Sequence, residues 1–189
     1  MTNKIILMIG GPATGKTTVG KILAKHFGLP FFSKDGVKEP IFDYVGCPTS
    51  IENESPLSGT KMDDAAQAIL FHLLEMQISV NKGCLFDSTF GKSHVEKLNR
   101  IFKHYDHKPI QIVCYAKKNI LKERYYNRAI NSLRHPGHLD TVLAESFEKI
   151  NSLYNVKKPL DLSSYNFLID TSANNDKEIN DIILSIDKI

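Results

Sequence analysis

Eight consecutive residues near the amino terminus have the types and spacing that bind phosphate. They run from Gly10 to Thr17, read GGPATGKT, and match the pattern G-x-x-x-x-G-K-[ST] in full. Glycines let the backbone fold tightly around an anion, so that successive N–H groups point at its oxygens. Lys16 neutralises charge on the outer phosphates, and the Thr17 hydroxyl is a ligand for Mg²⁺. The sequence therefore predicts a nucleoside triphosphate site whose contacts come from Gly11, Pro12, Ala13, Thr14, Gly15, Lys16, Thr17 and Thr18.

A second group of candidate residues follows predicted strands elsewhere in the chain. Asp35 ends the segment PFFSKD, Asp87 ends CLFD, and Thr171 follows YNFLID. Ligands of open parallel sheets bind beyond the carboxyl ends of the strands, so we expect these side chains beside the phosphate loop. Asp35 can accept the proton of a hydroxyl that attacks the γ-phosphate, and it also suits the cap of the helix that follows. The two roles are compatible.

Asp87 has three possible roles. A buried strand has no favourable place for a charge, so an aspartate at its tip needs a cation or a donor. Asp87 either holds Mg²⁺ through water, together with Thr17, or orients a basic residue beside the substrate. The third role is a turn cap before Ser88 and Thr89.

Arginines in the second half of the chain supply positive charge for phosphoryl transfer. Arg124 and Arg128 lie four residues apart on a predicted helix and therefore on one face. The breaker SLRHPGHLD follows and carries Arg134. A mobile arginine-bearing segment neutralises the transferred group and excludes water, so we predict a lid over about residues 124–142. We expect Lys16, Asp35, Arg124 and Arg128 to be catalytic and Arg134 to bind substrate, and we interpret the histidines of the breaker as polar loop residues.

The elements that must position these residues alternate along the chain. Near-continuous apolar strands between helices predict an α/β fold, with a five-stranded parallel sheet covered by helices on both faces. The predicted strands are 4–10, 30–35, 84–90, 109–116 and 165–170. The predicted helices are 16–27, 62–81, 93–105, 119–131, 141–155 and 177–189, and 45–60 is a predicted loop.

Composition limits the class of protein. With 189 residues, 42% of them apolar, we expect a single domain spanning 1–189. The formal net charge of +3 is too small for a dedicated nucleic-acid binder. Three scattered cysteines indicate neither a disulfide framework nor a zinc site. No apolar run is long enough for a membrane span or a signal segment, so a cytoplasmic protein without membrane contact is expected. The chain lacks an N-K-x-D guanine signature, which argues against a GTPase.

These segments together resemble the P-loop kinases of the polynucleotide kinase and chloramphenicol phosphotransferase type, a group of AAA-like predicted kinases. The resemblance is carried by GGPATGKTT, FFSKDGVKEPIFD, CLFDSTF, YAKKNILKERYYNRA and RHPGHLD. It implies a three-layer P-loop NTPase fold with nucleoside-kinase-like strand order and a small helical lid. It also implies ATP and Mg²⁺ as donor, a hydroxyl as acceptor, Asp35 as general base, and Lys16, Thr17 and Arg124 or Arg128 around the phosphates.

One departure from the resemblance bears on the acceptor. Polynucleotide kinases carry D-x-x-R after the second strand, whereas this chain has Asp35 followed by Lys38. Lysine supplies charge without the bidentate fork of arginine. We therefore expect a small-molecule acceptor bound within about residues 35–62, with Lys38 and Asp87 among its contacts. The alternatives are a polynucleotide 5′-hydroxyl kinase and a nucleotide-binding regulator without transfer chemistry. The sequence leaves the acceptor and the oligomeric state open.

Overall fold

Five parallel strands form the centre of the molecule. The computed structural model describes residues 3–48, 59–131, 134–140, 147–148, 151 and 157–189. The three central strands are almost wholly buried, as expected for a sheet that is covered on both faces, whereas the two edge strands are more exposed. They are β1 (Ile5–Ile9), β2 (Phe31–Ser33), β3 (Cys84–Asp87), β4 (Ile110–Tyr115) and β5 (Tyr165–Asp170).

The strand order is β2-β3-β1-β4-β5, and every neighbouring pair is parallel. Met8 of β1 pairs with Asp87 of β3, and Ser33 of β2 pairs with the same aspartate. The carboxyl ends of these three strands therefore lie side by side, which brings the residues that follow them to one edge of the sheet. The predicted fold class and the nucleoside-kinase-like strand order are confirmed.

Helices cover both faces because successive residues of a strand point to opposite sides. The described helices are α1 (Lys16–Phe27), α2 (Lys34–Val45), α3 (Gly59–Ser79), α4 (Val95–His104), α5 (Lys118–Ile130) and α6 (Asp176–Ile186). Ile6 and Met8 of β1 pack with α1 and α6, whereas Ile5, Leu7 and Ile9 pack with α3 and α4. Short 3₁₀ turns occupy Lys92–His94 and Pro136–His138.

The segment after β2 differs from the sequence prediction. The strand ends at Ser33, and Asp35 lies in the first turn of α2 rather than at a strand end. The cap of α2 is Ser33, whose hydroxyl oxygen accepts from the N–H of Gly36, so the predicted capping role of Asp35 is wrong. The predicted loop starts later, because α2 continues to Val45. Of that loop, residues 49–58 lie outside the described part of the chain.

The predicted helix 141–155 lies outside the described residues, apart from 147, 148 and 151. Within the ranges that the structure describes, no helix combines the length and apolar character needed to cross a membrane.

Candidate functional site

The loop after β1 has a backbone that only particular residues tolerate. Gly10 has φ +150° and Gly15 has φ +78°. A Cβ on Gly10 would lie 2.4 Å from the carbonyl oxygen of Cys114, so this position requires glycine. Thr14 is buried, and its hydroxyl donates to the carbonyl of Gly11 at 2.8 Å. The loop therefore packs tightly against β4 in a fixed conformation, and α1 begins directly after it at Lys16.

Arg124 fastens this loop to the end of β5. Its Nη2 donates to the carbonyl of Thr171 at 2.6 Å, and its Nη1 donates to the Thr171 hydroxyl oxygen at 3.2 Å. The same hydroxyl donates to the carbonyl of Thr14 at 2.7 Å. Sequence reasoning placed Arg124 in a lid. The structure places it against the phosphate loop, at the start of the segment predicted as a lid, where it can support the loop and contact a bound nucleotide.

Thr17 and Asp87 meet where α1 faces the tip of β3. The Thr17 hydroxyl donates to Asp87 Oδ2 at 2.5 Å. The other carboxylate oxygen, Oδ1, is buried and has no hydrogen-bond partner among the described residues. A buried carboxylate oxygen needs a cation or a donor, and hydroxyl and carboxylate oxygens are the ligands that Mg²⁺ prefers. The residues at this point therefore fit a magnesium ion held beside a nucleotide.

One cavity of about 450 Å³ connects the phosphate loop with Asp35. Its wall includes Lys16, Thr17, Arg124 and Arg128 as well as Asp35. Beyond the loop it extends past Thr171 and between the side chains of α1 and α6, through Ile22, Ala173, Asn175 and Ile179. The cavity thus has a charged end and a less polar end, and all four residues predicted to be catalytic lie in its wall.

The segment predicted as a lid, about residues 124–142, contacts α2 through Arg134. Its Nη2 lies 2.5 Å from Asp35 Oδ2, and its Nη1 donates to both oxygens of Asp140 at 3.0 and 3.1 Å. Arg128 joins the same carboxylate, with Nε 3.2 Å from Asp140 Oδ2. Asp140 therefore holds two arginines in place over the cavity. Sequence reasoning missed it, because a spacing of six residues outside a helix does not indicate contact.

The electrostatic surroundings keep Asp35 ionised. Burial by itself raises the pKa of Asp35, but the charges of Arg134, Lys16 and Lys38, together with that of His138 when its ring is protonated, outweigh it and hold the pKa below its ordinary value of 3.8. Asp35 is therefore a carboxylate at neutral pH, as a proton acceptor must be. Its side chain is 46% exposed, so a substrate can reach it.

The histidines of the lid make contacts that the sequence did not indicate. His138 is buried, with 3% of its side chain exposed, so its interpretation as a polar loop residue is wrong. Its Nε2 lies 3.0 Å from Glu39 Oε1, and its Nδ1 lies 3.0 Å from Arg134 Nη2. His135 Nε2 lies 3.1 Å from Asp43 Oδ1. No sequence signal indicated the contact of Arg134 with His138, because a spacing of four residues places side chains together only on an α-helix, and this segment is a 3₁₀ turn.

Lys38 lies close to Asp35 but is bonded elsewhere. Its ammonium group donates to Asp63 of α3, and Lys34 reaches the same carboxylate at 2.8 Å. Lys38 is almost buried, and its charge contributes to the low pKa of Asp35. The structure therefore holds Lys38 in an ion-pair network between α2 and α3, at the side of the cavity where the sequence predicts acceptor binding.

The fold and the site define a protein of the P-loop kinase-like class, since this strand order and this loop after β1 occur together. The sequence matches the AAA domain family over residues 5–151, and the chain belongs to that family. A search of curated proteins found no match.

Solved structures are similar over the whole chain. A candidate kinase from Chloroflexus aurantiacus J-10-fl is 27% identical, with a TM-score of 0.81, over 100% of this chain and 98% of that one. Kti12 from Chaetomium thermophilum, solved with ADP-AlF3, is 15% identical, with a TM-score of 0.71 and 97% of both chains covered. A gluconokinase from Sinorhizobium meliloti 1021 is 15% identical, with a TM-score of 0.59, over 98% and 93%. At these identities the last two show the fold alone.

Proposed function

We propose that the protein is an ATP-dependent kinase that transfers the γ-phosphate of ATP to a hydroxyl of a small molecule, with Asp35 as general base. The observation that carries the proposal is that Lys16 and Thr17 of the phosphate loop line the same cavity as Asp35. Regulatory nucleotide binding requires the loop but no ionised carboxylate at the far side of the same cavity.

The phosphate end would hold the donor. The backbone N–H groups of residues 11 and 13–18 and the ammonium group of Lys16 bind the phosphates. Thr17 and Asp87 would hold Mg²⁺, which supplies charge neutralisation between the outer phosphates. The remaining cavity, from Thr171 to Asn175 and across to Ile22 and Ile179, suits the nucleoside.

Transfer needs a base and shielding from water. Asp35 accepts the proton of the attacking hydroxyl as the new oxygen–phosphorus bond forms and the bond from the γ-phosphorus to the β–γ bridging oxygen breaks, which releases ADP. A carboxylate with a low pKa suffices, because the transition state is loose and the hydroxyl loses its proton late. Arg128 and Arg134, held by Asp140, supply charge to the transferred group and close the cavity. Residues of about 124–142 thus act as the lid, and about 35–62 as the acceptor region.

The test is ATP consumption against a panel of acceptors. Sugars, nucleosides, aminoglycoside- and phenicol-type antibiotics and a 5′-hydroxyl oligonucleotide cover the acceptor classes. Asp35→Asn should leave ATP binding within about twofold and lower transfer by about 10²- to 10⁴-fold. Asp181→Asn, an exposed aspartate on α6, is the matched control. Undiminished transfer in Asp35→Asn would refute the proposed base, and ATP binding without transfer to any acceptor would favour a regulator.

A further inference from the structure

His138 lies between the lid and α2, in contact with charged groups on both. Glu39 of α2 contacts its Nε2, Arg134 of the lid contacts its Nδ1, and the ring packs edge-on against Phe42. Gly137 beside it has no room for a Cβ, which would lie 2.4 Å from the Phe42 ring. The position of the imidazole is therefore fixed by packing as well as by hydrogen bonds.

The contacts determine which ring nitrogen carries the proton. A guanidinium group only donates hydrogen bonds, so Nδ1 of His138 must accept from Arg134 Nη2. The ring's single hydrogen then lies on Nε2, where it is donated to Glu39. Consistent with a neutral ring, burial and the charge of Arg134 lower the pKa of His138 below 6.5, against the opposing effect of Asp35 and Glu39.

This arrangement uses both hydrogens of Arg134 Nη2. One is donated to Asp35 Oδ2 at 2.5 Å and the other to His138 Nδ1 at 3.0 Å. Rotation of the guanidinium group would break one of the two bonds. The imidazole therefore fixes the angle at which Arg134 meets Asp35, and it leaves Asp35 Oδ1 for another donor.

We propose that His138 is a positioning residue, which holds Arg134 on one oxygen of Asp35 and keeps the other oxygen available to the acceptor hydroxyl. The inference rests on the proposed function, in which Asp35 is the base. Nδ1 of His138 lies 3.8 Å from Asp35 Oδ1, too far for a hydrogen bond in the neutral state. Proton uptake at Nδ1 reverses this relation: the ring no longer accepts from Arg134, and it becomes a donor that competes for Asp35 Oδ1.

The groups that face His138 determine its response to pH. They are Arg134 and Asp35, together with Glu39 and Lys38 of α2. The ordinary pKa of histidine, 6.5, lies well above that of aspartate, 3.8, and both are lowered in this site, so we expect acidification to charge the imidazole before it protonates the base. Transfer should therefore show an acid limb that belongs to His138.

Two substitutions separate the functions of the two ring nitrogens. His138→Asn places an amide oxygen near the position of Nδ1 and should retain transfer without the acid limb. His138→Gln supplies an N–H donor for Glu39 in place of the Nε2–H, but it supplies no acceptor for Arg134 in place of Nδ1. It should lower kcat/KM for the acceptor about ten- to a hundredfold, with KM for ATP unchanged. Glu39→Gln keeps an oxygen for the Nε2–H but removes its charge, and should shift the acid limb to lower pH. Equal pH profiles in all three variants and the wild type would overturn the inference.

A spectroscopic measurement tests the arrangement without catalysis. Two-bond ¹H–¹⁵N correlation of the histidines in the full chain at pH 7 should show His138 neutral, with its hydrogen on Nε2. A hydrogen on Nδ1, or a charged ring, would overturn the inference whether or not an acceptor is found. Conversely, if Asp35→Asn abolishes transfer while His138→Gln leaves kinetics and pH profile unchanged, the proposed function stands and the role of His138 does not.

Discussion

Arg134 lies directly against Asp35, with 2.5 Å between Nη2 and Oδ2, although 99 positions separate the two residues in the chain. This ion pair joins the lid to α2 and helps to keep the carboxylate ionised. The residue proposed to accept the proton and the residue proposed to exclude water are therefore parts of one contact. In the proposed mechanism, closure of the lid and orientation of the base are therefore coupled.

Gly137→Ala tests this coupling without removing a charge. The new Cβ would lie 2.4 Å from the Phe42 ring, so the lid must move away from α2. We expect transfer to the acceptor to fall, and the fraction of ATP lost to hydrolysis to rise, because water enters the open cavity. The ratio of phosphorylated acceptor to ADP formed measures the effect.

Gly91→Ala is the matched control for this substitution. Gly91 has extended backbone, and a Cβ there has no heavy atom within 4 Å among the described residues. That variant should keep the wild-type ratio. Tight coupling of ATP use to transfer in Gly137→Ala would show that lid contact with Phe42 is dispensable.

Asp87→Asn should weaken magnesium-dependent nucleotide binding. The amide removes the negative charge from the buried position that faces the Thr17 hydroxyl, and a neutral oxygen is a poorer ligand for Mg²⁺. Titration of a fluorescent ADP analogue at several Mg²⁺ concentrations should show that more metal is required for half-saturation. Binding measured in excess EDTA should change little, and Asp181→Asn should match the wild type. An unaltered Mg²⁺ requirement would leave the turn-capping role of Asp87.

Gly10→Ala should damage stability and nucleotide binding together. The substitution brings a Cβ to 2.4 Å from the Cys114 carbonyl at a φ of +150°, which we expect to cost about 2 kcal/mol or more in free energy of unfolding. Gly28→Ala is the control, since φ is +63° there but nothing described lies within 4 Å. It should cost about 1 kcal/mol and leave ATP affinity unchanged. Urea unfolding and ATP titration of both variants make the comparison, and equal losses would exclude the steric contact as the cause.

Asp63→Asn should alter the acid sensitivity of the fold. Burial raises the pKa of Asp63, but Lys34 and Lys38 outweigh it, so the folded-state pKa lies below 3.8. A depressed carboxylate pKa stabilises the protein above the unfolded value, and that contribution is lost as the pH falls through the folded value. The variant should therefore be less stable than the wild type at pH 7, and the difference should shrink below pH 3.8. Urea unfolding at pH 7 and pH 3 measures it, with the exposed Asp64→Asn on the same helix as control. A difference that does not depend on pH would contradict the ion-pair explanation.

The phosphate loop and the strands were predictable because their signals are local. The loop has glycine at two positions of positive φ, Gly10 and Gly15, and buried strands have apolar residues at nearly all consecutive positions, as in β1 and β4. Asp87 at the tip of β3 follows from the same logic. The end of β2 was less predictable, since Ser33 and Asp35 both suit a helix cap and only the hydrogen bond to Gly36 distinguishes them.

The partners of the site residues were not predictable from sequence. Arg124 and Arg128 were expected to share one lid role, yet Arg124 is bonded to Thr171 and Arg128 to Asp140. His138 was interpreted as a polar loop residue, but its side chain is buried. Its burial depends on Phe42, almost 100 positions away, which no local pattern indicates.

The sequence by itself determined a phosphate-binding loop, a parallel α/β sheet and the residue types available at its edge, since each depends on neighbours in the chain. The tertiary structure decided which of those residues work together. It brought Arg134 to Asp35 and His138 to Glu39, and Thr17 to Asp87, from elements far apart in sequence. Charge pairs and proton positions depend on distances of about 3 Å between such elements, and only the packed sheet and helices set those distances.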